Sequence, residues 1–227
     1  RTDNLWLDCG ARNRKEVEEL GIHIGAVVTY QDGFDELANG NYIGRAFDNR
    51  VGGFMIAEVA RMLKENKKKL PFGLYVVNAV QEEIGGNGAK MVTHRLRPDV
   101  AICLDVTHAT DTPGIDKAKH GATVLGGGPT VTHGTCNHPL VIQRLVETAE
   151  KAKLPLQHES SSRYSGTDTD KIFHTREGVP SALVSLPLRC MHSVVETAHL
   201  DDIQATIDLL AEFVLSLKTK DSFHQTL

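Results

Sequence analysis

The stretch Gly73-Leu74-Tyr75-Val76-Val77-Asn78-Ala79-Val80-Gln81-Glu82-Glu83-Ile84-Gly85-Gly86 sets a run of β-branched and aromatic residues directly against two adjacent carboxylates and a glycine turn. An apolar run of this kind predicts a strand covered on both faces, as in α/β sheets. The flanking pattern agrees. Phe54, Ile56, Val59, Ala60 and Leu63 recur at helical spacing upstream, and Val100 to Val106 and Ala182 to Leu188 are strand runs downstream. Helical spacing returns at Leu140, Val141, Leu145, Val146 and Ala149, and again at Ile203, Ile207, Leu210, Phe213, Val214 and Leu217. Strand runs alternating with helical ones predict an α/β fold, with a mixed sheet flanked by helices.

The first forty residues read differently. Leu5 to Cys9 and Ile22 to Tyr30 are expected strands, and Asp32 to Tyr42, rich in Gly, Asn and Asp, is an expected loop. Between the strands, Asn13 and Glu16 carry the capping-box pattern that opens a short helix, stopped at Gly21.

A chain of 227 residues, 41% hydrophobic and 24% charged, can bury a full core, so one main domain is expected. A net charge of -4 gives no electrostatic footprint for nucleic acid or an anionic membrane surface. The basic run Lys64 to Lys69 reads as the solvated end of a helix, complementing its dipole. No apolar stretch approaches the length of a membrane span, and the opening residues do not resemble a signal peptide. Cys9, Cys103, Cys136 and Cys190 are too scattered for a disulfide framework or paired zinc ligands, which favours a reducing, cytoplasmic setting. Cys103 is expected in the core, and Cys190, two residues before His192, either in packing or in support of that histidine.

Ligands of open α/β sheets gather at the carboxyl ends of strands, and three runs here deliver polar groups to that rim. Glu82 and Glu83 follow Val80, Asp105 interrupts Cys103-Leu104-Asp105-Val106, and His192 follows the run ending at Leu188. A buried carboxylate needs a cation, hydrogen bonds or a shifted pKa, so Asp105 reads as a metal ligand, a salt-bridge partner or a strand cap. Asp48, in Ala46-Phe47-Asp48-Asn49-Arg50, stands where it would cap the next helix, or where a rigidly held bridging carboxylate would serve two metals. On a turn, one of the Glu82–Glu83 pair can bind metal while the other takes a proton from water. His192 and the other histidines (His23, His94, His108, His120, His133, His138, His158, His174, His199 and His224) have ordinary hydrogen bonding as their default. Carboxylates with imidazole and no thiolate suit Zn²⁺, Co²⁺ or Mn²⁺. Ser165-Gly166-Thr167-Asp168-Thr169-Asp170 lacks the phosphate-loop pattern, Gly126-Gly127-Gly128-Pro129 reads as a loop allowing close backbone approach, and no GxSxG elbow is present.

Five motifs in order, Ala46 to Arg50, Gln81 to Gly85, Leu104 to Asp111, Ser165 to Asp168 and Arg189 to Ser193, resemble the glutamyl and tetrahedral aminopeptidase family of dinuclear metallopeptidases. Some of its members carry the label endoglucanase. The resemblance runs from about Leu5 to about Lys218. It implies two divalent ions, with Asp48 bridging them, Glu83 and His192 completing one ion's protein shell, Asp105 binding the other, and Glu82 as general acid/base. It also implies a strained, cis peptide after Asp48, and a zinc-peptidase-like catalytic domain over residues 44–227, preceded over 1–43 by the end of an inserted β dimerisation domain. Members have a further metal-binding histidine, in a His-x-Asp motif near the amino terminus, at a position His23 does not occupy. That part of the catalytic domain is therefore expected in a longer protein.

The function so implied is removal of the amino-terminal residue of short peptides by a metal-bridging hydroxide made by Glu82, in dimers that assemble into a hollow dodecamer. Two other readings are separable from it. A glycosidase using carboxylates roughly 5 to 10 Å apart needs no metal, but 5% aromatic residues offer few sugar-stacking platforms. A non-catalytic or metal-deficient binding or assembly module of the same fold loses its support if the full-length protein carries the His-x-Asp segment.

Overall fold

The computed structural model describes residues 2–66, 68–134 and 136–223, in two compact units, Arg1–Asp32 and Gly33–Leu227. Lys67 of the basic run and His224 lie outside the described residues.

In the first unit the expected helix is α1, Arg14–Glu19. Asn13 Oδ1 accepts the Glu16 N–H at 3.1 Å, and the Glu16 carboxylate accepts from Asn13 Nδ2 at 3.0 Å and from the Arg12 N–H at 2.8 Å, a variant of the capping box. The strands expected at Leu5 to Cys9 and Ile22 to Tyr30 are not formed. A strand is defined by its partner, and no described strand pairs with either segment, whose Trp6, Ile24 and Val27 side chains are exposed.

Among its described residues the second unit contains seven strands: β1 Phe34–Glu36, β2 Asn41–Gly44, β3 Ala101–His108, β4 Thr130–Gly134, β5 Gln157–Ser161, β6 Ser181–Leu188 and β7 Glu196–His199. Its helices are α2 Phe47–Glu65, α3 Asn87–Leu96, α4 Lys117–His120, α5 Pro139–Ala152, α6 Thr169–Ile172 and α7 Leu200–Ser216. The larger sheet has the order β3-β6-β4-β5, with β3 parallel to β6, β4 antiparallel to β6 and β5 parallel to β4. It is the expected mixed sheet. A smaller antiparallel sheet, β1-β2-β7, occupies part of the expected loop Asp32 to Tyr42.

Strand β6 shows why both faces need cover, because all eight of its residues are buried. Ala182, Val184, Leu186 and Leu188 join a core with Met55, Val59 and Leu63 of α2, Val141 and Leu145 of α5, and Leu210 and Phe213 of α7. Leu183, between them, packs instead with Cys103, with Ala89 of α3 and with Ile172 of α6. Side chains two apart share a face, so one strand joins two helical layers. Cys103 is in the core as expected. Phe213 is 2% exposed at the centre of the first layer, and Phe213→Ala is expected to cost about 3–5 kcal/mol, measured by chemical denaturation.

Two departures shape the site. Residues 73–80, the run that most resembles a strand, belong to no ladder among the described residues. Their pattern encodes a covered strand, but no described strand lies beside them and Tyr75 and Val80 are 67% and 63% exposed. The glycine loop behaves as read. Gly128, at φ +88, comes so close to Pro155 that a Cβ would sit 2.5 Å from its carbonyl oxygen, and its N–H donates to buried Asp202 at 2.6 Å.

Candidate metal centre

The start of α2 is irregular. Ala46 is left-handed at φ +59, the Asp48–Asn49 peptide is cis, and Asp48 and Asn49 have non-helical backbone angles. Asn49, not Asp48, provides the capping oxygen, with Oδ1 accepting the Gly52 N–H at 3.0 Å. The reading of Asp48 as helix cap is thereby corrected. Its carboxylate turns to His192, with Oδ2 2.9 Å from Nε2, and Glu83 Oε2 lies 3.7 Å from the same nitrogen. One ligand atom from each of Asp48, Glu83 and His192 falls within 4.8 Å of the others.

Glu82 and Glu83 are presented by a tight turn, in which the Gly85 and Gly86 N–H groups donate to the Glu82 and Gln81 carbonyls, each at 2.9 Å. Asp105 stands outside the triad but lines the same cleft, of about 1180 Å³, with Asp48, Glu82, Glu83 and Asp168. Asn49 Nδ2 donates to Asp105 Oδ1 at 3.1 Å and to the Leu104 carbonyl at 2.9 Å, joining the start of α2 to β3.

So many carboxylates in one cleft resist ionisation together. Burial, then the neighbouring Glu83, pushes Asp48 up to about 6. Burial, then Asp168, Glu83 and Asp48, pushes Glu82 up to about 7. Burial pushes Asp105 up to about 8, against the hydrogen bond from the Val106 N–H. Asp168 is also raised by burial, and its Oδ1 is buried without a hydrogen-bond partner. Hard oxygen donors with one imidazole, mutually repelling and with one oxygen unsatisfied, fit divalent cations.

The family model for M42 glutamyl aminopeptidases matches residues 1–209. The chain belongs to the M42 glutamyl aminopeptidase family. It is 37% identical to a lysyl aminopeptidase of Pyrococcus furiosus over 219 residues, covering 96% of this chain and 61% of that protein. It superposes on the crystal structure of a TET aminopeptidase from a Thaumarchaeota archaeon with a TM-score of 0.85 at 33% identity, covering 94% of this chain and 60% of that one. At 24% identity and a TM-score of 0.78, covering 92% of this chain and 61% of the other, it shares the fold of PhTET1-12s, described as a dodecamer. The chain thus spans about three fifths of the length of these relatives.

The M42 chain holds its histidine by a braced loop. Arg189 forms a two-pronged ion pair with Asp111, its Nε 2.9 Å from Oδ1, which keeps the Asp111 carboxyl below its ordinary range. The loop then turns through left-handed Cys190 and His192, at φ +56 and +61. Cys190 is exposed, against the packing reading, since that turn carries it away from the core.

Three residues around this centre were not assigned to it in the sequence. Asn49 and Asp168 each lie inside one of the five family motifs, but the motifs give neither a role. Glu196 drew no attention, although an acid beside Val194 and Val195 at the start of a strand is a signal of the kind that flagged Asp105.

Proposed function

We propose that the protein is a metal-dependent aminopeptidase that releases the amino-terminal residue of short peptides, with Asp48, Glu83, Asp105 and His192 as metal ligands and Glu82 as general acid/base. The observation that carries this reading is the meeting of Asp48, Glu83 and His192 atoms within 4.8 Å, beside a carboxyl near neutrality at Glu82. When bound, two divalent ions of the Zn²⁺, Co²⁺ or Mn²⁺ type would polarise the scissile carbonyl and acidify the attacking water.

The chain's own residues account for the rest. Asp48 and His192 hold their donor atoms in one place, Glu83 adds a third, and Asp105, fixed by Asn49, presents a carboxylate to the same cleft. Glu82 accepts the proton from the attacking water and returns it to the leaving amine. A cytoplasmic setting, residues 1–43 as the end of an inserted dimerisation domain, and assembly of dimers into a dodecamer belong to the same proposal. The family membership and the dodecameric relative support the last of these.

The test is release of the amino-terminal residue from matched free and N-acetylated peptides by the full-length protein, after chelation and after return of Zn²⁺, Co²⁺ or Mn²⁺. Cleavage of free amino termini only, and only with metal, is expected. Equal cleavage of both peptides would make the protein an endopeptidase or deacylase, and cleavage of neither would favour a binding module.

A further inference from the structure

Glu196 opens β7 with only 2% of its surface exposed, and both of its carboxylate oxygens accept backbone hydrogen bonds. Oε2 accepts the N–H of Asp48 at 3.1 Å, and Oε1 accepts the N–H of His192 at 2.8 Å. These are the amides of two proposed ligands whose side chains already meet at 2.9 Å. Both sit on irregular backbone, Asp48 at φ −77 and ψ 107 and His192 at φ +61, where neither helix nor ladder satisfies the N–H. The carboxylate itself is buried, and the two part-buried amides satisfy its oxygens, so one side chain ties both backbones together.

The frame around Glu196 is stiff. It pairs with Gly44 across the β2–β7 ladder, four residues before Asp48. Its neighbour Thr197 exchanges two hydrogen bonds of 3.0 Å with Arg189, closing the loop that carries His192. Glu196 thus stands on a strand shared by both approaches to the centre.

We propose that Glu196 is a positioning residue, which sets the separation and orientation of the Asp48 and His192 donor atoms through their backbone N–H groups. The proposal rests on reading that site as a metal centre. Glu196→Gln tests it, because an amide keeps the size of the side chain but offers only one accepting oxygen, turning an NH₂ group toward the second N–H.

Two measurements on the whole chain separate the parts. In metal-free protein, amide hydrogen exchange at Asp48 and His192 is expected to be slow, and to quicken at least about tenfold at one of them in Glu196→Gln while β6 amides keep their protection. In a Co²⁺ titration, affinity is expected to fall roughly 10- to 100-fold, with an altered visible Co²⁺ spectrum, a readout that a general loss of stability would not move in the folded fraction. If Glu196→Gln does not fold, Glu196→Asp is measured, since the shorter carboxylate cannot span both amides, and the same loss is expected. Unchanged Co²⁺ affinity and spectrum in a variant, with wild-type binding intact, overturns this proposal alone. A wild-type chain that takes up no Co²⁺ overturns the metal reading and this proposal together.

Discussion

Replacing Glu82 with Gln is expected to lower kcat by about 10²- to 10⁴-fold while leaving metal uptake unchanged. The carboxyl is not among the three atoms that converge on one point, but it stands next to Glu83 in sequence and lines the same cleft. Without metal, burial and the carboxylates of Asp168, Glu83 and Asp48 hold it at about 7, so it exchanges a proton readily near neutrality. Nearby cations favour its anion, so in the metal-loaded protein the acid limb of kcat/KM should fall below pH of about 7. That limb should vanish in the variant, because an amide of the same shape cannot accept the proton. A Glu82→Gln protein that keeps more than about a tenth of wild-type turnover would remove Glu82 from the reaction.

The metal-free chain is expected to lose stability as pH rises from about 5 to about 8, and divalent ions are expected to restore it. The direction follows from the acids at the centre. Asp48, Glu82 and Asp105 hold their protons up to about 6, 7 and 8, against ordinary values of 3.8, 4.5 and 3.8. A carboxyl raised in the folded state binds its proton more tightly there than in the unfolded chain. Its stabilising contribution is full below the unfolded value and is lost as pH rises through the folded one. Cations displace those protons, so affinity should increase with pH across the same window. At a free metal concentration a hundred times Kd, the gain is about 2.7 kcal/mol. Thermal melts at pH 5, 6.5 and 8, with chelator and with Mn²⁺, would read both effects. A melting temperature that does not respond to metal at pH 8 would rule out ligation by Asp48 and Asp105.

Both expectations rest on a centre that is partly legible in the sequence. Val59 and Leu63 declare α2 by spacing alone, and Ala182 to Leu188 declare β6 by being apolar on both faces. Asp105 stood out because an acid inside such a run demands an explanation. Strands β4 and β5 left no such trace. Thr132 and Glu159 face each other in register and are joined by a hydrogen bond of 2.6 Å, so a polar pairing across 27 positions stands where apolar alternation would have been sought. The role of Asp48 was open for the same reason. Whether it caps a helix or meets a histidine depends on where Asn49 and His192 lie in space, and no local pattern encodes that. Glu196 acts only through backbone amides of other segments, which leave no mark on the identity of the residues that carry them.

Residues 73–80 bear on how this polypeptide would behave in a test tube. They flank a trough lined by Leu74, Val100, Ile102, Phe213 and Phe223, and on its other side runs β3, the outermost strand of the larger sheet. The outer edge of β3 and residues 73–80, which pair with no described strand, together with exposed Leu74, Tyr75 and Val76, make a template on which a second polypeptide can add a strand. Expressed alone, these 227 residues should therefore be sticky, binding hydrophobic dyes and precipitating as concentration rises. Their solubility, rather than their activity, would be the first property to respond to a charged substitution at Tyr75 or Val76.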